Sequence, residues 1–154
     1  EIINNGNLKF FIAIGDLNFR QKIARSIVSN ANEFETVVSN YAYISDRCSL
    51  GQGTVVMPGA YVRCYAAIGD HCVVNTGAVI EHECRIGDYT NISPNVTLCG
   101  KVIIENRVDI GAGVTVLPGK RIGSDIIVGA GSTVVSDLLK PGTYIGSPAI
   151  KKDQ

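Results

Sequence analysis

An aliphatic residue returns at every sixth position from Ile44 to Val134. The series runs Ile44, Leu50, Val56, Val62, Ile68, Val74, Ile80, Ile86, Ile92, Leu98, Ile104, Ile110, Val116, Ile122, Val128 and Val134. Four residues after each of these sits a small or apolar side chain, as at Cys48, Thr54, Ala60, Ala66, Cys72, Ala78, Cys84, Thr90, Val96 and Ser132; Lys120 is the exception. A period of six matches neither the helical repeat nor the two-residue alternation of a strand in a hairpin. It is the hexapeptide signature of a parallel β-helix.

A second rhythm has a period of eighteen. Gly51, Gly69, Gly87 and Gly123 share one place in successive triplets of hexads, with Glu105 at the missing rung. Three hexads therefore make one triangular coil with tight corners, and coils stack at the strand spacing of about 4.8 Å. The aliphatic column fills the interior, each buried member contributing roughly 1.5–3 kcal/mol. This β-helix is expected over residues 41–139, followed by a tail over 140–154. Lys120 at an inward slot predicts a local distortion, with its stem snorkelling outward.

Residues 1–40 lack the frame. Residues 9–14 form a largely apolar run ending at Gly15-Asp16, which predicts a buried strand. Asn18 is positioned to cap a helix with Ile23, Ile27 and Val28 on one face and Arg20, Lys22 and Arg25 facing away. Residues 36–38 predict another strand. The piece reads as the remnant of an α/β, Rossmann-like sugar-nucleotide-binding domain, although the GxGxxG phosphate fingerprint is absent.

Composition narrows the function. A formal net charge of zero offers no electrostatic footprint for nucleic acid or an anionic membrane. No apolar run approaches the ~20 residues that span a bilayer. The start, Glu1-Ile2-Ile3-Asn4-Asn5-Gly6, is no signal peptide and lacks an initiator Met, which reads as a chain with an unseen beginning. Five cysteines without CxxC spacing argue against a disulfide framework or zinc site and for a reduced, cytoplasmic setting. Cys48, Cys72 and Cys84 take the small inward slot, which favours packing over reactivity, whereas Cys64 and Cys99 fall near corners.

His82 is the candidate for chemistry. Steps of eighteen give its stacked neighbours as Cys64 and Gly100, and a bare glycine rung would open room beside the imidazole for a thioester carbonyl. Glu83 follows and could hold one ring nitrogen, as the acid of a triad does. An imidazole suits removal of a proton from an amine or hydroxyl at neutral pH. The frame alone leaves a second reading open, in which His82 is a polar corner residue on a solvent-facing edge. His71 falls elsewhere in its hexad and reads as a solvated surface residue. Two histidines eleven apart do not make the three-histidine zinc site of β-helical carbonic anhydrases, so no metal is expected.

Asn75-Thr76-Gly77, Ile80-Glu81-His82-Glu83-Cys84, Ile86-Gly87-Asp88, Gly129-Ala130-Gly131-Ser132 and Gly146-Ser147-Pro148-Ala149 resemble the hexapeptide acyltransferases of bacterial surface-sugar synthesis. The nearest subfamily holds the sialic-acid O-acetyltransferases and the N-acetyltransferases of nucleotide-linked amino sugars. The resemblance implies left-handed winding, a homotrimer, acetyl-CoA as cosubstrate, and a nucleotide-amino sugar or sialic acid as acceptor. It implies that His82 is the general base, that Glu83 orients it, that Asn75 lies in the active site and that Gly100 contacts acetyl-CoA. Gly129 and Ala130 would pack along the pantetheine arm, and Lys151 or Lys152 would meet a phosphate. Asn91 stands where some members place a second histidine against the acetyl group. Gly15 and Asp16 are what remains of the acceptor site. The chain departs from the family at its start, where the first strand and Gly-rich loop are missing. A non-catalytic β-helical scaffold is the rival from another class.

Overall fold

The computed structural model describes residues 9–27 and 34–152. Val28, expected on the helix face, and the opening residues 1–8 lie outside that range. From residue 37 onward the chain winds as a left-handed parallel β-helix of three flat faces. Almost every strand has two residues and pairs in register with the strand eighteen positions on, as in Val37↔Val55, Tyr43↔Tyr61 and Ser49↔Ala67.

Face I carries Val37–Val38, Val55–Val56, Val73–Val74, Asn91–Ile92, Asp109–Ile110 and Ile126–Val128. Face II carries Tyr43–Ile44, Tyr61–Val62, Val79–Ile80, Thr97–Leu98, Thr115–Val116 and Thr133–Val134. Face III carries Ser49–Leu50, Ala67–Ile68, Arg85–Ile86, Ile103–Ile104 and Arg121–Ile122. The frame thus begins one rung before Ile44, at Val38, and residues 37–38 belong to the prism. Arg121 and Ile122 keep the regular register with Ile103 and Ile104, so the distortion expected at the half-buried Lys120 does not occur.

The second residue of each strand points inward, and most of this column is sealed from solvent, including Val62, Val74, Ile80, Ile92, Leu98 and Ile110. The small slot does more than fill space. Thr54 donates its hydroxyl to the Gly69 carbonyl (2.8 Å) and Thr90 to that of Glu105 (3.1 Å). The Cys48 thiol reaches Arg63 O (2.8 Å), Cys72 reaches Gly87 O (3.1 Å) and Cys84 reaches Cys99 O (3.2 Å). Each of these donors meets a corner carbonyl fifteen residues ahead, where a purely apolar residue would leave that acceptor without it.

The eighteen-residue glycines have a steric cause. A Cβ at Gly51, Gly69 or Gly87 would stand 2.3, 2.3 or 2.4 Å from the side-chain oxygen of Asp70, Asp88 or Asn106 in the next coil. Those oxygens accept from the N–H groups of Gln52, Asp70 and Asp88. At the next rung the partner is Ser124, whose side chain is shorter. Glu105 fits there, accepting from the Ser124 N–H and hydroxyl and pairing with Arg121.

Leu17–Ile27 forms the one helix among the described residues. Asp16, not Asn18, caps it, its Oδ1 accepting from the Phe19 N–H at 2.7 Å. The run at 9–14 is not a continuous strand: Phe10 makes a single bridge to Phe34, Ile12 is buried, and Phe11 and Ala13 are exposed. No described helix is long and apolar enough to cross a membrane. At the other end, Gly142–Ile145 pairs with Ile126–Val128 sixteen residues back, and Ile150–Lys151 then returns antiparallel along it.

Candidate active site

His82 lies on the edge between faces II and III, in the corner that joins Val79–Ile80 to Arg85–Ile86. Third place in such corners takes a left-handed backbone, filled by glycine at Gly59, Gly77, Gly113, Gly119 and Gly131. Glu83 occupies that place with φ 60°, a conformation that disfavours any side chain. Its carboxylate lies 2.9 Å from His82 Nδ1, and both side chains are half exposed. A carboxylate only accepts, so Nδ1 carries a proton, and in the neutral ring it is Nε2 that holds the lone pair. Lys101, one coil further, approaches Glu83 Oε2 at 3.8 Å.

Gly100 is what lets the ring sit where it does. A Cβ at position 100 would stand 2.5 Å from His82 Nε2 and 2.7 Å from Cε1. The bare rung therefore holds the imidazole itself, where the sequence predicted an empty space beside it. Second place in a corner has an N–H outside the β-ladder; the chain puts Pro58, Pro94 and Pro118 there, which have none to give. At Gly100 the N–H is present and has no acceptor among the described residues.

A second cluster forms where the amino-terminal segment meets face I, and it corrects two expectations. Arg20 does not face solvent; it is 1% exposed. Its Nη1 donates to the carbonyls of Ile14 (2.8 Å) and Gly15 (3.1 Å), its Nη2 to Asn91 Oδ1 (2.6 Å) and its Nε to His71 O (2.9 Å). Burial lowers its pKa from the usual value, against the pull of Cys72 and Asp109. His71 is not a solvated residue either; it is 3% exposed, with Tyr89 stacked at 5.0 Å and Phe34 edge-on at 4.5 Å. Its Nδ1 has no hydrogen-bond partner, and burial lowers its pKa. The helical spacing held the signal for Arg20, since positions 20, 23, 24 and 27 form one face.

The site residues expected from the sequence fall into three groups. His82, Glu83 and Gly100 come together on the II/III edge. Gly15, Asp16 and Asn91 come together on face I, where the Asn91 amide donates to Gly15 O (3.0 Å) and accepts from Arg20. Asp16 is occupied as the helix cap, and Gly15 faces open space. Asn75, Gly129 and Ala130 lie on the I/II edge, the opposite border of face II from His82. Within a single chain the three groups remain apart. Burial also disqualifies two thiols as nucleophiles: Cys72 is pushed up to about 12 and Cys84 to about 11.

Residues 65–100 and 83–118 match the family described as bacterial transferase hexapeptide (six repeats). No curated protein matches significantly. PerB from Caulobacter crescentus, solved in complex with CoA and GDP-perosamine, is 39% identical, with a TM-score of 0.92 over 94% of this chain and 70% of that one. A variant of GDP-perosamine N-acetyltransferase from the same organism, with one histidine replaced by alanine, is 38% identical, with a TM-score of 0.94 over 97% and 71%. The acetyltransferase domain of PglB from Neisseria gonorrhoeae, in complex with acetyl coenzyme A, is 29% identical, with a TM-score of 0.90 over 94% and 70%.

Proposed function

Because the chain belongs to the hexapeptide-repeat acetyltransferases of nucleotide-linked amino sugars, we propose that it moves an acetyl group from acetyl-CoA to the amino group of such a sugar in the cytoplasmic stage of bacterial surface-glycan synthesis. His82 is the general base. The observation that carries this reading is the ring's placement: Nδ1 is tied to Glu83, and Nε2, the nitrogen left to take a proton, lies over the Gly100 backbone.

The amine attacks the thioester carbonyl while His82 Nε2 takes its proton, and Glu83 steadies the imidazolium that forms. The Gly100 N–H, unused by the ladder, is the donor available to the oxyanion. Collapse of the tetrahedral intermediate expels the CoA thiolate, which takes up a proton, so no acyl-enzyme is needed.

A second copy completes the site. The outward positions of face II are Tyr43, Tyr61, Val79, Thr97, Thr115 and Thr133, none of them acidic or basic. Threefold packing through this face would bring the His82 edge of one copy against the Asn75 and Gly129–Ala130 edge of the next. Coenzyme A would lie between them, and the Gly15–Asp16 turn of that next copy would face the acceptor.

Incubation with acetyl-CoA and a GDP-linked 4-amino sugar, followed by mass spectrometry of the product, tests the reading. A hydroxylamine-stable amide supports it. An ester on sialic acid would move the protein to the O-acetyltransferases, and absence of CoA binding would leave a scaffold.

A further inference from the structure

The amino-terminal segment meets the prism around a buried imidazole that takes no part in the chemistry above. Among the described residues, three hydrogen bonds join residues 9–27 to the prism: Arg20 Nε to His71 O (2.9 Å), Arg20 Nη2 to Asn91 Oδ1 (2.6 Å) and Asn91 Nδ2 to Gly15 O (3.0 Å). The apolar contact is a small core of Ile12, Ala24 and Phe34, closed from the prism side by Tyr89. The His71 ring touches both sides, stacked on Tyr89 and edge-on to Phe34. Its Nδ1 is buried against Gly53 and has no hydrogen-bond partner. A neutral ring tolerates this place with its proton on Nε2. An imidazolium carries an N–H on both nitrogens and needs two acceptors.

The charged groups around the ring are engaged elsewhere. The preceding coil offers Gln52 and Gly53, neither of them charged. On the ring's own corner, Asp70 Oδ1 accepts from the Gln52 N–H, and the Cys72 thiol, pushed up to about 12, stays neutral. In the next coil, Asp88 Oδ1 accepts from the Asp70 N–H, and Tyr89 presents the face of its ring. The segment brings Arg20, a like charge, and Glu35, which is paired with Lys9 at 2.9 Å. Burial lowers the His71 pKa; Asp70 and Asp88 oppose the shift and Arg20 adds to it. We propose that His71 is an acid-sensitive latch: a proton taken up at Nδ1 parts the ring from Phe34 and Arg20 and frees residues 9–27 from face I, while the prism stays wound. Once freed, both ring N–H groups reach water, and Arg20 loses a buried positive neighbour. The Gly15–Asp16 turn leaves with the segment. The latch concerns docking of the segment alone, so it stands or falls apart from the acetyl-transfer reading.

Hydrogen exchange of the full chain between about pH 7 and pH 5, read by mass spectrometry and corrected for the intrinsic rate at each pH, tests the latch. The unlatched ring binds its proton near pH 6.5, so protection of residues 9–27 is expected to hold above that pH. Below it, protection should fall by up to about tenfold per pH unit down to the lowered pKa, while residues 80–98 keep theirs. In His71→Phe, which keeps an aromatic body but cannot titrate, the fall should vanish. NMR of the His71 Cε1 proton in wild type needs no variant, and its midpoint should lie below about 6.5, in the window where protection is lost. Constant protection of residues 9–27, an undiminished fall in His71→Phe, or parallel loss in residues 80–98 overturns the proposal. So does an NMR midpoint at or above about 6.5.

Discussion

The two histidines occupy edges of one prism and are seated by the same device, with opposite results. Each ring is pressed against a glycine one coil away: a Cβ at Gly100 would meet His82 Nε2 at 2.5 Å, and a Cβ at Gly53 would meet His71 Nδ1 at 2.4 Å. On the II/III edge the ring stays half exposed, with a carboxylate fixing its tautomer. On the III/I edge the ring is enclosed by Phe34 and Tyr89, and its backbone carbonyl is taken by Arg20. Local backbone geometry therefore does not make a base. What covers the edge decides, because a covered imidazole loses access to a proton donor and is held neutral by desolvation.

The sharpest way to break this contrast is to remove each ring. His82→Ala is expected to lower kcat about 10²- to 10⁴-fold with an unchanged melting temperature. His71→Phe, which keeps an aromatic body in the enclosed space, is expected to leave kcat within a few-fold. Near-wild-type turnover in His82→Ala would remove the distinction. Removing the clasp comes next. Arg20→Ala leaves the carbonyls of Ile14, Gly15 and His71 and the Asn91 amide without a charged donor, a loss of about 3 kcal/mol. Hydrogen exchange should show it as opening of residues 9–27 while the prism stays protected.

The glycines separate the edges more finely. Gly100→Ala is expected to swing the half-exposed ring off Glu83 and lower turnover at least tenfold with little change in melting. Gly53→Ala, at φ 67° and against a ring with nowhere to go, should destabilise by about 1–2 kcal/mol through the backbone alone, read as a lower melting temperature.

The smallest effect concerns acid. Burial lowers the His71 pKa, with Arg20 adding to the shift and Asp70 and Asp88 opposing it; the ring of Tyr89 covers one side. The unfolded chain then binds a proton near pH 6.5 that the folded chain refuses, so stability is full above that pH and declines as pH falls from there to the lowered pKa. Denaturation followed between pH 7 and pH 5 should show this decline in wild type and less of it in His71→Phe.

The prism was legible because its signal is repeated at every rung: an aliphatic residue at each sixth position admits one backbone path. His82 and Glu83 were legible because a step of eighteen identifies stacked neighbours, and Gly100 is a side chain's absence at a known place. The amino-terminal segment has no repeat to average over. Arg20 looked solvated because charge outweighed its position on the helix face. His71 looked solvated because its cover, Phe34 and Tyr89, comes from a non-repeating segment and from the next coil. Asn91 could be placed on face I, but its pairing with Gly15 and Arg20 depends on a contact between residues more than seventy positions apart. The corner residues show the general point. Where third place is not glycine, its side chain is usually employed: His71 and Tyr89 hold the amino-terminal segment, Glu83 holds the base, and Arg107 pairs with Asp125.

The sixteen-residue closing turn and its reversed final strand bear on how the molecule avoids growing. A parallel coil is its own best template, since the open rim of one could nucleate the next without limit and string molecules into filaments. By shortening the last circuit and folding Ile150–Lys151 back in the opposite sense, the chain covers the face I edge of this rim with an antiparallel strand. On that face a single short hairpin thus takes the place where another parallel rung would dock.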